Sequence, residues 1–309
     1  NFWLHEQNIF DFHAVTIASP LLLLTLYFLI QKRYMLFGLF LFLAVTTKEN
    51  VLILISVFGL NFFRQKKYIL GLILGVLGLL SFYLITTYAI PSARGSQHFA
   101  LGTYSQIGDS TGGIIKNLLL NPSLAFNRLF DSSTLLYFHK HLLPYGYLPL
   151  LSPFYFLFVI PDMAIYLLSS NYEYRSHQYH FGAVMIPFFT IASLYGVQRI
   201  LRKFNSDITR KVCFYYVLFS SLFAMYLYSP LPGMRSAEYE VFEADTSKIY
   251  TYLQLIPASA SVSASNNLGA HLSHRQYIFT VPYGMDKADY IVFYKEGLNF
   301  VELVNPIYY

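Results

Sequence analysis

The sequence predicts a mainly α-helical bundle of transmembrane segments over residues 1–233, followed by a small extramembrane α/β domain over residues 234–309. Two observations predict the bundle. Long apolar runs recur along the first part of the chain, and charged residues make up only 12% of the whole, about half the usual fraction. The domain is predicted because from about Met234 the apolar runs give way to short segments of mixed polarity.

The apolar runs predict the membrane segments in order. They are Ala14–Ile30, 34–47 and 51–63 (two short spans, or a helix pair turning at Lys48), 68–90, a proline-broken stretch 148–168, 181–201 and 212–228. Three glycines, at 71, 75 and 78, predict close packing of the 68–90 helix against a neighbour. Between the spans lies an outer loop, 91–143, whose second part has the mixed pattern of a helix lying on a membrane surface.

Basic residues predict the orientation of these segments. About half of the Lys and Arg residues fall in three clusters, Lys32-Arg33, Arg64/Lys66/Lys67 and 199–211, which we expect to be cytoplasmic. The net charge of +5 therefore reflects how the segments are oriented in a membrane, and nucleic-acid binding is disfavoured. A single pass through 148–168 would place Arg175 on the cytoplasmic side, so we predict that residues 144–170 form a hairpin of two half-passes.

The remaining polar groups point to a site on the opposite, outer side. All nine histidines fall there or in the C-terminal region, which indicates an aqueous reaction site on the outer face. In the C-terminal region we predict a helix over 244–256, a strand over 260–265, a short helix over 266–271, and strands over 277–281 and 290–294. The single cysteine, Cys213, excludes an intrachain disulfide, and no internal repeat is evident.

Two acidic motifs have both a structural and a functional interpretation. Asp11 and His13 precede the first span, where Asp11 is either a helix cap or a base, metal ligand or phosphate contact. Lys48 and Glu49 interrupt an apolar stretch of 30 residues, so these charges must pair with each other or face water. At a turn on the outer face they could instead reach a polar substrate.

Basic and aromatic groups supply the other candidates. Arg94 and the His139-Lys140-His141 run lie in the outer loop, where they are either a solvated face or a phosphate-binding surface. The stretch 174–180 lies at the lip of the 181–201 run and contains Arg175, His177, Tyr179 and His180. This stretch is either an interfacial anchor or a site, and a helix that began early would put both histidines on one face.

Motifs of several enzyme classes are absent from the chain. The sequence has no Walker motif, no GxGxxG loop, no GxSxG elbow and no CxxC pair. These absences disfavour an ATPase, a Rossmann dehydrogenase, a hydrolase of the elbow type and a redox protein.

Five motifs occur together and in a recognisable order: Phe10-Asp11-Phe12-His13, Lys48-Glu49, the 149–153 proline break, 175–180, and the 263–275 segment of the tail. In these residues the chain resembles, over nearly its whole length, the bacterial and archaeal membrane family called domain of unknown function 2079. That family is grouped by resemblance with the GT-C glycosyltransferases. The resemblance therefore implies a GT-C-like bundle in a prokaryotic cytoplasmic (inner) membrane, multi-pass, with the C-terminal domain on the outer side.

The resemblance also implies an activity. GT-C enzymes transfer a sugar from a polyprenyl-phosphate donor at the outer face, use an acidic residue of the first outer loop as base, and in some cases need a divalent metal such as Mg²⁺ or Mn²⁺. Because residue 1 is Asn, we expect the family's first spans, with that loop, to precede it. The acidic catalytic candidates within the chain are Asp11 and Glu49. The substrate-binding candidates are His13, Lys48, Arg94, Arg175, His177, Tyr179 and His180.

The sequence leaves three functions open. The first is a GT-C-like membrane glycosyltransferase, or a piece of one, acting on an unidentified glycan, lipid or protein acceptor. The second is a transporter or flippase for lipid-linked or polar solutes, which would use the same broken helices and charges without chemistry. The third is a non-catalytic assembly or sensor protein whose outer domain binds a partner.

Overall fold

The computed structural model describes residues 1–9, 13–94, 98–129, 131–176, 179–236, 246–281 and 283–293. The chain is mainly helical and divides into two compact units, Asn1–Tyr239 and Glu240–Tyr309. The helices of the first unit are α1 Phe2–Ile9, α2 Ala14–Ile30, α3 Tyr34–Val45, α4 Ile53–Arg64, α5 Tyr68–Leu84, α6 Ile90–Arg94, α7 Thr111–Leu120, α8 Ser123–Leu129, α9 Ser132–Leu142, α10 Pro153–Phe156, α11 Ile160–Leu168, α12 Ile186–Lys203 and α13 Asp207–Tyr228. A π-helical turn, Ile85–Ala89, joins α5 to α6.

Two helical hairpins, α2–α3 and α4–α5, form one side of the first unit. Each turns through the same four-residue pattern, Gln-Lys-basic-Tyr, at residues 31–34 and 65–68. In both turns the lysine has a left-handed backbone, with φ of 56° at Lys32 and 61° at Lys66. The amides of this lysine and of the residue after it complete a Schellman cap, for example Arg33 N–H to the Phe28 carbonyl at 2.9 Å. The sequence therefore contains a short local repeat that its apolar pattern did not reveal.

Glycines let the second hairpin close tightly. A Cβ on Gly59 of α4 would lie 2.6 Å from the carbonyl oxygen of Gly71, and one on Gly78 would lie 2.5 Å from the backbone nitrogen of Ser56. Ser56 also donates from its hydroxyl to the Gly75 carbonyl at 2.8 Å. The predicted close packing of this glycine-bearing helix is confirmed, since helix backbones approach this closely only where side chains are absent.

The proline-broken stretch runs down one side of α12 and returns. Tyr145 contacts Thr190 of α12 at 3.2 Å, and the Leu151 carbonyl lies nearer the far end of α12, where it accepts from Arg199 at 3.2 Å. The chain then comes back past Tyr195, whose ring stacks on Tyr155 at 4.1 Å. This path is the hairpin predicted for residues 144–170, and its position relative to a membrane stays a prediction.

The return leg of this hairpin completes the core of the first unit. Phe58 is fully buried at its centre, with ring centroids 5.4 Å from Phe37 of α3, 5.5 Å from Phe158 and 6.1 Å from Phe188 of α12. Such aromatic contacts tie both hairpins to α12.

Three basic clusters meet at one end of the first unit. Lys67 donates to the Tyr34 hydroxyl at 3.0 Å, which joins the two hairpin turns. Arg64 lies over the Phe154 ring at 4.6 Å, in a hollow that Arg199 and Arg202 also line. The clusters that the sequence assigns to one side of a membrane are therefore spatial neighbours.

Among the described residues, two helices are long and apolar enough to cross a membrane, Tyr68–Ala93 and Asp207–Tyr228. Shorter apolar helices are Ala14–Ile30, Tyr34–Val45 and Pro153–Leu168. The outward faces of the two long helices carry large exposed apolar side chains, among them Ile69 at 78% and Phe219 at 67%. Exposed apolar surface of this extent is typical of lipid contact.

The predicted 181–201 run becomes helical later than expected, and the second part of the outer loop is helical. A helix was predicted from residue 181, but α12 begins at Ile186, because Pro187 has no N–H to donate and suits the first helical turn. His180 instead lies in a 3₁₀ turn, His180–Gly182, so α12 does not begin early enough to include it. The 114–143 region forms α7, α8 and α9.

The second unit contains a helix, α14 Thr246–Leu253, and three parallel strands, β1 Val262–Ala264, β2 Ile278–Thr280 and β3 Tyr290–Val292, with a short helix α15 Asn266–Gly269 after β1. The strand order is β2-β1-β3, and Ser263 lies opposite both Phe279 and Ile291. The central strand is buried throughout. The three predicted strands are confirmed at shorter lengths, in a parallel sheet.

Candidate functional site

Polar groups gather where α3 turns into α4, at the end of the unit opposite the basic turns. Hydroxyls of Thr46 and Thr47 bond back to the carbonyls of Leu43 and Ala44, at 2.8 and 2.7 Å, and finish α3. Lys48 is then extended, and a 3₁₀ turn, Glu49–Leu52, leads into α4. This local course separates the two predicted charges, which form no ion pair with each other among the described residues.

Lys48 reaches the lip of α12. Its Nζ donates to His180 Nε2 at 3.4 Å and lies 5.9 Å from the centre of the Phe181 ring. His180 also stacks on His13, with ring centroids 3.8 Å apart. Burial, then the charge of Lys48, then His13 lower the pKa of His180 to about 3. His180 is therefore neutral at physiological pH, and its Nε2 accepts a hydrogen bond from the Lys48 ammonium.

Glu49 has a different partner. Its Oε1 lies 3.7 Å from His98 Nε2, and the His98 side chain is 6% exposed. The backbone N–H of Ala100 donates to His98 Nδ1 at 3.1 Å, so in the neutral ring Nε2 carries the proton and faces the carboxylate. Burial alone raises the pKa of Glu49, but the His98 hydrogen bond, the Glu49 backbone and the charge of Lys48 outweigh it, and the net pKa is lowered.

A third acidic group, Asp162 of α11, was missed by the sequence reasoning. It is fully buried, and its Oδ1 accepts from Asn50 Nδ2 at 2.5 Å. Its Oδ2 and the Asn50 Oδ1 have no hydrogen-bond partner in the part of the chain that the structure describes. The signal was present, because an acidic residue inside an apolar segment is a functional candidate by default.

An apolar cavity of about 300 Å³ opens beside Glu49. Helices α5, α7 and α11 form its walls, and the described lining residues are Glu49, Asn50, Ile53, Phe82, Thr86, His98, Ala100, Leu101, Tyr104, Thr111, Ile114, Ile115, Leu118, Pro161, Ala164, Ile165 and Leu168. Tyr104 donates its hydroxyl to the Ile165 carbonyl at 2.7 Å and so fixes the loop to α11. Among the described lining residues Glu49 is the one carboxylate, and its partner His98 lines the cavity with it.

Arg175 has bonds of its own. It is 6% exposed, its Nη1 donates to Asp131 at 3.3 Å and Ser133 at 2.6 Å, and its Nη2 donates to the Leu167 and Ser169 carbonyls at 2.9 and 3.3 Å. These bonds join α9, α11 and the lip. The geometry favours the structural interpretation of this residue.

Other predicted residues have mixed outcomes. Of the two alternatives for His139 and His141, the solvated face is wrong for His141. Its side chain is 1% exposed and its ring centroid lies 4.0 Å from that of Trp3, because it lies on the inner face of the last turn of α9. Tyr179 is half-buried, and burial, then Glu173, raises the pKa of its hydroxyl.

Three predicted site residues stay predictions. Asp11 and His177 lie outside the described residues. Arg94 ends α6, and nothing is described of its side chain. Within the described ranges, no cluster of three or more His, Cys, Asp or Glu side chains is arranged to hold a metal ion.

The apolar outward faces, the helical hairpins and the buried charges define this chain as a helical membrane protein. Its sequence matches the family described as predicted membrane protein, domain of unknown function 2079 (DUF2079), over residues 3–302. The chain belongs to that family, as its motifs predicted. No curated protein and no solved structure matches it significantly.

Proposed function

We propose that this protein is a multi-pass, GT-C-like glycosyltransferase of the prokaryotic cytoplasmic membrane, with polyprenyl-phosphate sugar as donor. The observation that carries the proposal is the pairing of opposite charges at one turn: the Glu49 carboxylate with His98 beside the cavity, and the Lys48 ammonium next to it with His180. A carboxylate can take a proton from an acceptor hydroxyl while a neighbouring cation receives a phosphate leaving group.

The proposed reaction is an inverting sugar transfer. Glu49 accepts the proton of the acceptor hydroxyl, and the hydroxyl oxygen forms a bond to the anomeric carbon of the sugar. The bond from that carbon to the phosphate oxygen breaks, and its electron pair leaves with polyprenyl phosphate. Lys48 neutralises the charge that develops there, the anomeric configuration inverts, and Glu49 later returns its proton to water.

The charge distribution supports a membrane orientation for this reaction. The basic turns at Lys32 and Lys66 lie at one end of the first unit, and Lys48, Glu49 and His180 lie at the other. Cytoplasmic basic turns would leave the reactive groups on the outer side, where lipid-linked sugar donors are used. In this proposal Arg175 positions the lip rather than binding substrate, because its guanidinium already donates to Asp131 and two carbonyls.

The test is donor turnover in proteoliposomes. Purified protein is supplied with a panel of polyprenyl-phosphate sugars and a membrane extract as acceptor source, and released polyprenyl phosphate is measured. We expect Glu49→Gln to lower turnover at least about 100-fold, the scale of a lost general base, and Lys48→Ala to lower it less.

The matched control is Glu173→Gln, an exposed carboxylate of the lip, which should keep wild-type turnover. Full activity of Glu49→Gln, or no turnover of any donor by the wild type, would count against the proposal. The repeated hairpin turn favours one alternative, a lipid flippase, since transporters are often built from repeats. Donor movement between leaflets without release of polyprenyl phosphate would identify it.

A further inference from the structure

Helix α7 has an unusual surface for an amphipathic helix. Ile and Leu make up half of its ten residues, yet none of its residues is buried. The side chains at 111, 114, 115 and 118 follow the spacing of one helical face, and all four line the cavity beside Glu49. On the other side of α7, Leu119 and Leu120 are 76% and 66% exposed. One face of α7 therefore lines the cavity beside Glu49.

The opposite walls of the cavity are also apolar. Phe82 belongs to α5, one of the two helices long enough to cross a membrane, and Ala164 and Ile165 belong to α11. The cavity volume of about 300 Å³ falls at the lower end of the roughly 300–1,000 Å³ of small-molecule sites. An apolar chain is the occupant that these walls accommodate without an unpaired polar group.

The Glu49–His98 end of the cavity determines which head group an apolar chain can carry there. Among the described lining residues there is no Lys or Arg, and the ionisable groups at this end are Glu49 and His98. An alkyl phosphate would place its negative charge beside the Glu49 carboxylate. A hydroxyl would instead donate a hydrogen bond to that carboxylate, so charge complementarity favours an alcohol over a phosphate.

We infer that the cavity beside Glu49 binds the hydroxyl end of a lipid alcohol, which serves as the acceptor. The phosphate of the donor then lies on the Lys48 side of the same turn. This assignment of the acceptor rests on the proposed function, but the binding itself does not. It names the acceptor class as an apolar alcohol.

The experiment measures binding without any sugar donor. The purified protein in nanodiscs is photolabelled with a diazirine-bearing C16 alcohol and, in parallel, with the phosphate ester of the same alcohol, and the labelled peptides are identified by mass spectrometry. We expect the alcohol to label α7 and α11 at least about 10-fold more than the phosphate ester.

Two neighbouring substitutions on α7 provide the matched comparison. Leu118→Trp fills the cavity and should lower labelling by the alcohol at least about 10-fold, whereas Leu119→Trp, on the exposed side, should leave it unchanged. Ala164→Phe fills the cavity from the opposite wall and should repeat the loss, even if Leu118→Trp unfolds α7. Glu49→Gln should reduce the preference for alcohol over phosphate ester to within about 3-fold.

Each outcome decides one hypothesis. Stronger labelling by the phosphate ester, or labelling that Leu118→Trp and Ala164→Phe leave intact, would overturn the inference. Specific labelling by the alcohol with no donor turnover would support the cavity and contradict the glycosyltransferase. Turnover of donor with no labelling of the cavity would support the glycosyltransferase and contradict the binding of a lipid alcohol in the cavity.

Discussion

At the scale of single residues, Lys48 and Glu49 show how two adjacent charges acquire separate roles. The extended backbone at Lys48 directs its ammonium to His180, and the 3₁₀ turn that starts at Glu49 directs the carboxylate to His98. Each charge has a nitrogen partner from a distant part of the chain. The direct ion pair that adjacency alone would favour does not form, so Glu49 lines the cavity while Lys48 contacts His180.

His180 leads to a prediction about pH. Its folded-state pKa of about 3 lies below the ordinary value of 6.5, so between these values the unfolded chain binds the extra proton. Stability contributed by neutral His180 is thus complete above about pH 6.5 and is lost as the pH falls toward 3. We expect the unfolding temperature in detergent to drop over this range, and His180→Gln to make the drop smaller.

The comparison for this prediction is Phe181→Leu, which removes a neighbouring ring without a titrating group. It should lower the unfolding temperature by a similar amount at every pH. If His180→Gln and the wild type lose stability in parallel as the pH falls, His180 does not titrate in this way.

Arg175 gives a second prediction at this scale. Arg175→Ala removes the bonds to Asp131, Ser133 and two carbonyls and leaves these acceptors without their charged donor. We expect a loss of about 2–4 kcal/mol in the free energy of unfolding, measured by chemical denaturation in detergent. Lys116→Ala, an exposed site on α7, should change it by less than about 0.5 kcal/mol. A stable Arg175→Ala protein that has lost turnover would restore Arg175 to the substrate site.

Sequence reasoning could predict part of the site at this scale. Lys48 and Glu49 were identifiable because charges in an apolar stretch are costly and need a reason. Their partners were not, since His98 and His180 reach them only through contacts across more than 40 and 130 residues along the chain. Asp162 carried the same signal, since it is a lone carboxylate in an apolar segment, but its contact with Asn50 spans more than 100 residues along the chain.

At the scale of helices, the α4–α5 hairpin offers a matched pair of glycines. Gly78→Ala would force a Cβ to within 2.5 Å of the Ser56 backbone, whereas a Cβ on Gly75 meets nothing within 4 Å. We expect Gly78→Ala to cost about 1–3 kcal/mol through overpacking. Gly75→Ala should be neutral or stabilise by up to about 1 kcal/mol through helix propensity. Thermal unfolding in detergent measures both, and equal effects would contradict the close approach of α4 and α5 at Gly78.

The sequence predicted which segments are helical better than it predicted the residue at which each helix begins. The bounds of α2 follow from its apolar run, and the pair α3–α4 follows from the charges at Lys48. The start of α12 did not follow from hydropathy, because Pro187 rather than the first apolar residue determines it. The strand order β2-β1-β3 was also beyond reach, since pairing between strands depends on contacts that no local pattern records.

At the scale of the whole molecule, the proposed membrane orientation can be measured directly. With Cys213 replaced by Ser, single cysteines are introduced as Lys66→Cys at a basic turn, Glu173→Cys at the lip and Ser273→Cys in the second unit, all exposed positions. We expect a membrane-impermeant maleimide to label the last two in intact cells, and Lys66→Cys at least about 10-fold more after permeabilisation. Labelling of Lys66→Cys in intact cells would reverse the orientation.

The lysines of the two hairpin turns make the folded state less stable than glycine would, but they supply positive charge at these turns. Lys32 and Lys66 adopt the left-handed backbone, a position where glycine is preferred by roughly 1 kcal/mol. Lys→Gly at either turn should therefore raise the unfolding temperature, while Gln31→Gly, whose φ of −73° suits any residue, should lower it. The same lysine substitutions should increase the share of molecules inserted in the wrong direction. Under the proposed orientation, the lysines at these two positions favour correct insertion and make the folded state less stable than glycine would.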